Sequence, residues 1–210
     1  MKKKKTSLLR QGFGGQAKKI KKLETKVTKL LDQAKIKYKT LEHKMVFTAH
    51  DVGATTKKKL SEIAKVVLVK VEGPPSGVIA RSASDEAIPS KKKIASARQS
   101  PDLAMTHYFA LIVLPAGKYV DFSGIKKALK AKKVSMASEK DITKYLKTKV
   151  GLLHPFGSEY NLKTLLDKDM ARSKKMIASA GTFTDSVELG LKDFEKLIKP
   201  IKGAFAKAKR

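Results

Sequence analysis

The sequence predicts a single mixed α/β domain of the α+β kind, a central mixed β-sheet flanked by helices. Three observations predict it. Two strongly apolar, β-branched runs, residues 64–71 and 108–114, have the composition and length of buried strands. Segments with helical spacing interleave with these runs and with shorter strand candidates. A chain of 210 residues and 23.1 kDa supports one ordinary core rather than two.

Residues 1–19 carry Lys2 to Lys5 and a Gly/Gln stretch, and read as a flexible basic arm preceding a domain over 20–198. From Lys18 a helical period places Leu23, Val27, Leu30, Leu31 and Ala34 on one face. A short strand follows at 36–41, then a helix from Ala49 into the fifties, weakened by Gly53 and Thr55-Thr56. The run 64–71 reads as a strand buried on both faces and is bounded by Gly73-Pro74-Pro75. Residues 73–106 are rich in Ser, Ala, Pro and Lys without sustained period, and read as a mobile insertion. A buried strand resumes at 108–114, and Pro115-Ala-Gly117 turns the chain into 118–122. Helices are expected at 125–129 and 141–146 with a strand at 134–137 between them, then a loop at 151–157 and strands at 162–166 and 175–178. A last helix fits 191–199, with Phe194, Leu197 and Ile198 inward, and 199–210 reads as a basic tail. No internal repeat is visible.

Lys and Arg number 47 against 19 Asp and Glu, a net charge of +28. Only five of the basic residues are Arg, so the excess is carried by hydrated point charges rather than bidentate forks. Residues 1–22 hold nine basic residues and 199–210 hold five, with no acid in either, yet the rest of the chain is also basic. That distribution points to a polyanionic partner: RNA, DNA or an anionic membrane surface. The longest apolar run, 109–114, is far below the roughly 18 residues of a membrane span. No apolar stretch follows the charged start as in an export signal, and cysteine is absent; together these lead to an expectation of a cytoplasmic protein.

Several chemistries find no support. There is no Gly-x-Ser-x-Gly nucleophile elbow and no Gly-x-x-x-x-Gly-Lys-[Ser/Thr] phosphate loop. The four histidines, 43, 50, 107 and 154, form no ligand pair at metal spacing, so neither a metal nor another cofactor is expected. No carboxylate pair stands out.

Three features remain. Lys65 heads an apolar strand and shares a face with Val67, Val69 and Val71. A lysine there either snorkels to solvent at the strand end or meets an anion or a cavity. The segment Gly151-Leu-Leu-His-Pro155-Phe-Gly157 is either an ordinary turn or a rigid loop whose exposed N–H groups approach a ligand. Ser179-Ala-Gly181-Thr-Phe-Thr184 is either a plain hairpin loop or another point of close approach.

In this order the residues resemble the YbaK/EbsC family of aminoacyl-tRNA deacylases, freestanding relatives of the editing domain inserted in bacterial prolyl-tRNA synthetases. The resemblance runs through Ile36-Lys-Tyr-Lys-Thr-Leu-Glu-His43, Phe47-Thr48-Ala49, Ile63-Ala-Lys65-Val-Val-Leu-Val, a Gly-x-x-x-Pro motif at Gly151 to Pro155, and 179–189. It covers roughly 20–71 and 107–198. It departs at Lys65-Val-Val-Leu, where relatives often read Lys-Thr-Leu, and at the turn Thr182-Phe-Thr184. The insertion at 73–106 has no counterpart in it.

The resemblance implies a metal-independent trans-editing hydrolase that cleaves the ester of a mischarged aminoacyl-tRNA, without a side-chain nucleophile and with help from the substrate's own ribose hydroxyl. It makes Lys65 the catalytic residue, acting on a phosphate or carbonyl oxygen of the terminal adenosine. Substrate binding falls to His43, Thr48, Gly151, His154, Pro155, Phe156, Gly157, Ser179 and Gly181, with Leu153, His154 and Phe156 setting pocket size. The expected partners are tRNA and an aminoacyl-tRNA synthetase, with no membrane. The competing reading is a non-catalytic tRNA- or RNA-binding module of the same fold; a third is a basic protein of a ribosome or membrane surface.

Overall fold

The computed structural model describes residues 24–73 and 107–208. Ten strands and six helices follow in the order α1 (Lys26–Gln33), β1 (Tyr38–Glu42), α2 (Ala49–Thr56), β2 (Ala64–Glu72), β3 (His107–Pro115), β4 (Tyr119–Val120), α3 (Phe122–Ala128), β5 (Lys133–Met136), α4 (Glu139–Leu146), β6 (Lys163–Asp167), α5 (Lys168–Ala171), β7 (Lys175–Ser179), β8 (Asp185–Gly190), α6 (Leu191–Ile198), β9 (Ile201–Gly203) and β10 (Ala206–Lys207). The main sheet has the order β5-β2-β3-β6-β9 and is mixed: β2 is antiparallel to β3 and β5, while β6 runs parallel to β3 and β9. A second, antiparallel sheet has the order β1-β8-β7. The two sheets meet through one parallel bridge between Ile63 and Ile177.

The predicted mixed sheet is therefore present, and its cause is visible in β3. Residues Ala110, Leu111, Ile112, Val113 and Leu114 are fully buried, and they feed three packed regions on the two faces of the sheet. Val69, Val71, Ile112, Leu114 and Phe205 pack with Ile125 and Leu129 of the α3 region. Leu68 and Leu111 pack with Ile142 and Leu153. Val113 joins Val27, Leu31, Phe156, Met176 and Phe194 between the sheets. Each fully buried aliphatic or aromatic side chain contributes about 1.5–3 kcal/mol of transfer free energy, which outweighs the weak helix propensity of the short flanking helices.

Local chemistry sets the helix ends. Thr25, extended at φ −117°, caps α1 in a reciprocal box with Thr28, so this helix begins at Lys26. Ser138 and Asp141 build the same box at α4. The expected strand at 36–41 lies at Tyr38–Glu42, and the segment 118–122 yields only the two-residue β4 before Asp121 caps α3.

The basic tail is a correction. Ile201–Gly203 extends the main sheet beside β6, Ala206–Lys207 pairs with β4, and Phe205 is buried between them. The buried Asp167 fixes this return: its Oδ2 accepts the Phe205 and Ala206 N–H groups at 2.8 and 2.9 Å. Lysines at the exposed positions 202 and 207 masked the inward Ile201 and Phe205. The arm at 1–19, the start of the helical period at 18–23 and residues 74–106 of the expected insertion lie outside the described residues.

Candidate active site

A cavity of about 460 Å³ opens where the two sheets part. Its floor is the edge of β2: residues 63 to 68 all line it. Ile177, Ala178 and Ser179 of β7 and Ser186 of β8 form one wall. Met136, Ala137 and Ile142, at the passage from β5 into α4, form the opposite one. The loop before α2 and the segment from Val150 to Leu153 close the remaining sides.

Five of the expected residues converge here from five segments: His43, Thr48, Lys65, Gly151 and Ser179. The His43 imidazole sits between two oxygens. Its Nδ1 lies 2.9 Å from the Lys44 carbonyl and its Nε2 lies 3.0 Å from the Ser186 hydroxyl. A carbonyl only accepts, so the neutral ring carries its proton on Nδ1 and turns the Nε2 lone pair toward Ser186. Thr48 caps α2: its hydroxyl accepts the Asp51 N–H at 3.2 Å and donates to the Asp51 carboxylate at 2.7 Å. Ser179 pairs with Ser186 across β7 and β8, and its hydroxyl accepts the Gly181 N–H at 3.1 Å.

Lys65 is half-buried. Its ammonium donates to the Lys118 carbonyl at 3.2 Å and stands 5.2 Å from the centre of the Tyr119 ring. Burial holds its pKa below the ordinary lysine value, because desolvation penalises the charged form. Only one of its three protons is directed at that carbonyl. Lys118 is itself anchored through its ammonium to Asp169.

Gly151 has φ +88°, which favours glycine, and a Cβ there would stand 2.9 Å from the Phe47 carbonyl oxygen and 3.2 Å from the Phe183 ring. The Phe47 and Phe183 rings meet beside it, tilted by 56° with centres 5.1 Å apart, and Phe47, Met136 and Val150 leave an exposed apolar rim.

The second half of the Gly-x-x-x-Pro loop goes elsewhere. His154, Pro155, Phe156 and Gly157 are buried and do not line the cavity. His154 stacks on Tyr160 at 4.5 Å and Phe156 meets Phe194 of α6 edge-on at 5.7 Å. Burial lowers the His154 pKa to about 4, with a smaller contribution from Lys26, and its Nδ1 has no partner among the described residues. Of the three residues expected to set pocket size, Leu153 lines the cavity, and the place expected of His154 and Phe156 is taken by Ile142 and Val150. Gly181, at φ +88°, lies in open space off the cavity wall.

Ser186, Phe183, Met136 and Ile142 were not anticipated as site residues. Ser186 carried a faint signal, since in Asp185-Ser-Val-Glu-Leu189 it shares the non-core side of a strand with Glu188. The others reach the cavity only through tertiary packing. Among the described residues no three His, Asp or Glu side chains gather as a metal-binding group, and no helix is long and apolar enough to cross a membrane.

The described residues thus form a mixed sheet with a lysine-bearing, largely apolar cavity at its edge. The model of the aminoacyl-tRNA editing domain family matches residues 43–197, and the chain belongs to that family. No curated protein sequence matches it. Among solved structures, the fold is similar to that of a hypothetical protein designated APE2540, with TM-score 0.64, 14% identity, and coverage of 86% of this chain and 99% of that one. It is also similar to a protein described provisionally as a trans-editing enzyme for prolyl-tRNA synthetase, with TM-score 0.61, 13% identity, and coverage of 87% and 95%. At these identities the likeness is one of fold.

Proposed function

We propose that the protein hydrolyses the ester between an amino acid and the terminal adenosine of a mischarged tRNA, acting in trans. One observation carries the reading: the cavity that collects Lys65, His43, Ser179 and Ser186 against apolar walls lies in a chain of the editing family. Its volume of about 460 Å³ fits the scale of small-ligand sites.

In this reading a water attacks the ester carbonyl and the bond to the ribose oxygen breaks. Lys65, partly desolvated, supplies positive charge to the developing oxyanion or to the terminal phosphate. The Ser186 hydroxyl, whose proton goes to His43 Nε2, offers its oxygen as an acceptor to a ribose hydroxyl, while the glycine at 151 lets the backbone approach the aminoacyl group. The net charge of +28 attracts the tRNA backbone, and the enzyme works in the cytoplasm, free or docked on a synthetase.

The test is a panel of mischarged tRNAs incubated with the full-length protein, with and without a chelator. Release of free amino acid from at least one member, unchanged by the chelator, is the expected result. Tight tRNA binding with no release from any member would replace this reading by that of a non-catalytic RNA-binding module.

A further inference from the structure

β2 is paired along its whole length on one edge and only in part on the other. The Ala116 N–H donates to Ile63 O at 2.9 Å, so the odd-numbered residues of β2 aim their backbone groups at β3. Pro115, which has no N–H, accordingly faces an even residue, Ala64. The even residues aim the other way, and the Ala137 N–H donates to Leu68 O at 3.0 Å on that side. There β5 pairs with Val69 through Glu72 and then leaves at Ser138, the cap of α4. At the opposite end β7 touches only Ile63, with the Ile177 N–H on Glu62 O at 2.8 Å, and turns away after Ser179. Between the two departures stands Val66. Its N–H and C=O face the cavity, and no strand among the described residues pairs with them.

We infer that this one-residue gap recognises the α-aminoacyl group as a missing strand residue, an inference that rests on the editing reading above. An α-amino acid ester presents an ammonium donor and a carbonyl acceptor in the spacing of a strand residue's own N–H and C=O. Its ammonium donates to Val66 O, and its carbonyl oxygen accepts the Val66 N–H, completing a single antiparallel hydrogen-bonded pair. Two consequences follow. The recognition is blind to the side chain, because it uses backbone atoms alone. It is sensitive to chirality, because cross-strand partners in such a pair place L side chains on the same face. The face of Val66 carries Leu68, Ala137, Ile142 and Leu153, all apolar and all lining the cavity. The opposite face carries Lys65 and Val67. The site therefore takes L-amino acids with apolar side chains, and holds the ester carbonyl polarised on the Val66 N–H.

The experiment follows the Val66 amide in the ¹⁵N-labelled full-length protein during titration with three non-hydrolysable probes. These are 3′-amino-3′-deoxyadenosine acylated with L-leucine, with D-leucine, or with 4-methylpentanoate, which is leucine without its amine. The L-leucyl probe should move the Val66 amide proton downfield and slow its exchange. The D-leucyl and amine-free probes should bind at least about tenfold more weakly, the scale of one lost hydrogen bond. An L-leucyl probe that binds without moving the Val66 amide, or three probes of equal affinity, would overturn the inference while leaving editing intact. Failure of every probe to bind, together with no hydrolysis across the tRNA panel, would remove the editing reading and this inference with it.

Discussion

The two halves of β2 have nearly the same composition and opposite roles. Val69 and Val71 lie between β3 and β5, are fully buried, and are paired on both edges. Lys65, Val66 and Val67 are paired to β3 alone and are only half-buried. The difference lies in the neighbours. Where β5 runs alongside, the strand supplies stability; where β5 and β7 have both left it, the same kind of sequence lines a cavity. The proposed site sits where sheet pairing stops.

Substitutions in the two halves should separate those roles. Lys65→Ala removes a charge held in a half-buried position without opening the core, since its neighbours Val69 and Val71 carry the packing. We expect deacylation to fall by about 10²-fold or more, the usual effect of losing one group that stabilises an oxyanion, with the thermal midpoint little changed. Val69→Ala should do the reverse. Deleting two buried methyl groups costs about 2–3 kcal/mol of stability, while turnover per folded molecule stays near wild type. Wild-type deacylation by Lys65→Ala, or inactive but fully stable Val69→Ala, would break the division.

The same boundary runs through the loop at 151–157, where Leu153 faces the cavity and His154 faces the core. His154 provides a pH test of that assignment. Burial lowers its folded-state pKa from the ordinary 6.5 to about 4, so the folded protein disfavours the imidazolium. Above pH 6.5 the ring is neutral whether the chain is folded or not, and it contributes no pH dependence. As pH falls from 6.5 toward 4 the unfolded chain takes up a proton that the folded one refuses, and stability drops. Below about 4 the loss levels off, after at most about 3 kcal/mol. Denaturant unfolding at pH 7 and pH 4.5 should show this decline, and His154→Phe should reduce it. An identical decline in the variant would place His154 in contact with solvent.

How much of this was legible before the structure follows the same line. Strands such as 64–71 and 108–114 announce themselves as continuous apolar, β-branched runs, although 65–67 of the first are only half-buried where they line the cavity. The last strands did not, because lysines alternate with Ile201 and Phe205 and the return depends on a distant carboxylate, Asp167. Within the site, Lys65 and the loops that hold Gly151 and Ser179 stand out by pattern, each with an ordinary structural reading beside it; the family resemblance adds His43 and Thr48 and joins them, since no spacing in the sequence links five separate segments. The resemblance marked the whole 151–157 loop, but only packing against Tyr160 and Phe194 decides which half turns inward. Ser186 and the gap at Val66 depend on register and on where β5 ends, which are properties of pairing rather than of any one segment.

Gly151 tests the cavity side of the loop with a smaller perturbation. A methyl group at φ +88° is strained, and it would press on the Phe47 carbonyl and the Phe183 ring. Gly151→Ala should cost about 1–2 kcal/mol in stability. Because the displaced groups form the cavity rim, the KM for aminoacyl-tRNA should rise as well. A stability loss with an unchanged KM would detach this loop from the substrate path.

The smallest expected effect lies far from the boundary, at the helix ends. Lys57 and Lys147 close α2 and α4 in the left-handed conformation, at φ 53° and 49°, a place glycine usually takes. The side chain costs about 1 kcal/mol there. Part of that is offset by a positive charge at the negative end of the helix dipole, worth about 0.3–1 kcal/mol. Glycine relieves the strain but gives up the charge and adds freedom to the unfolded chain. Lys57→Gly and Lys147→Gly should each therefore stabilise by at most about 0.5 kcal/mol, a rise of no more than about 1–2 °C in Tm for a chain of this size. Neither residue lines the cavity, so kcat/KM at fixed salt should not change. If the midpoint instead falls, the lysine charge outweighs the backbone strain. That outcome would make the helix ends a place where this chain's high lysine content adds to stability.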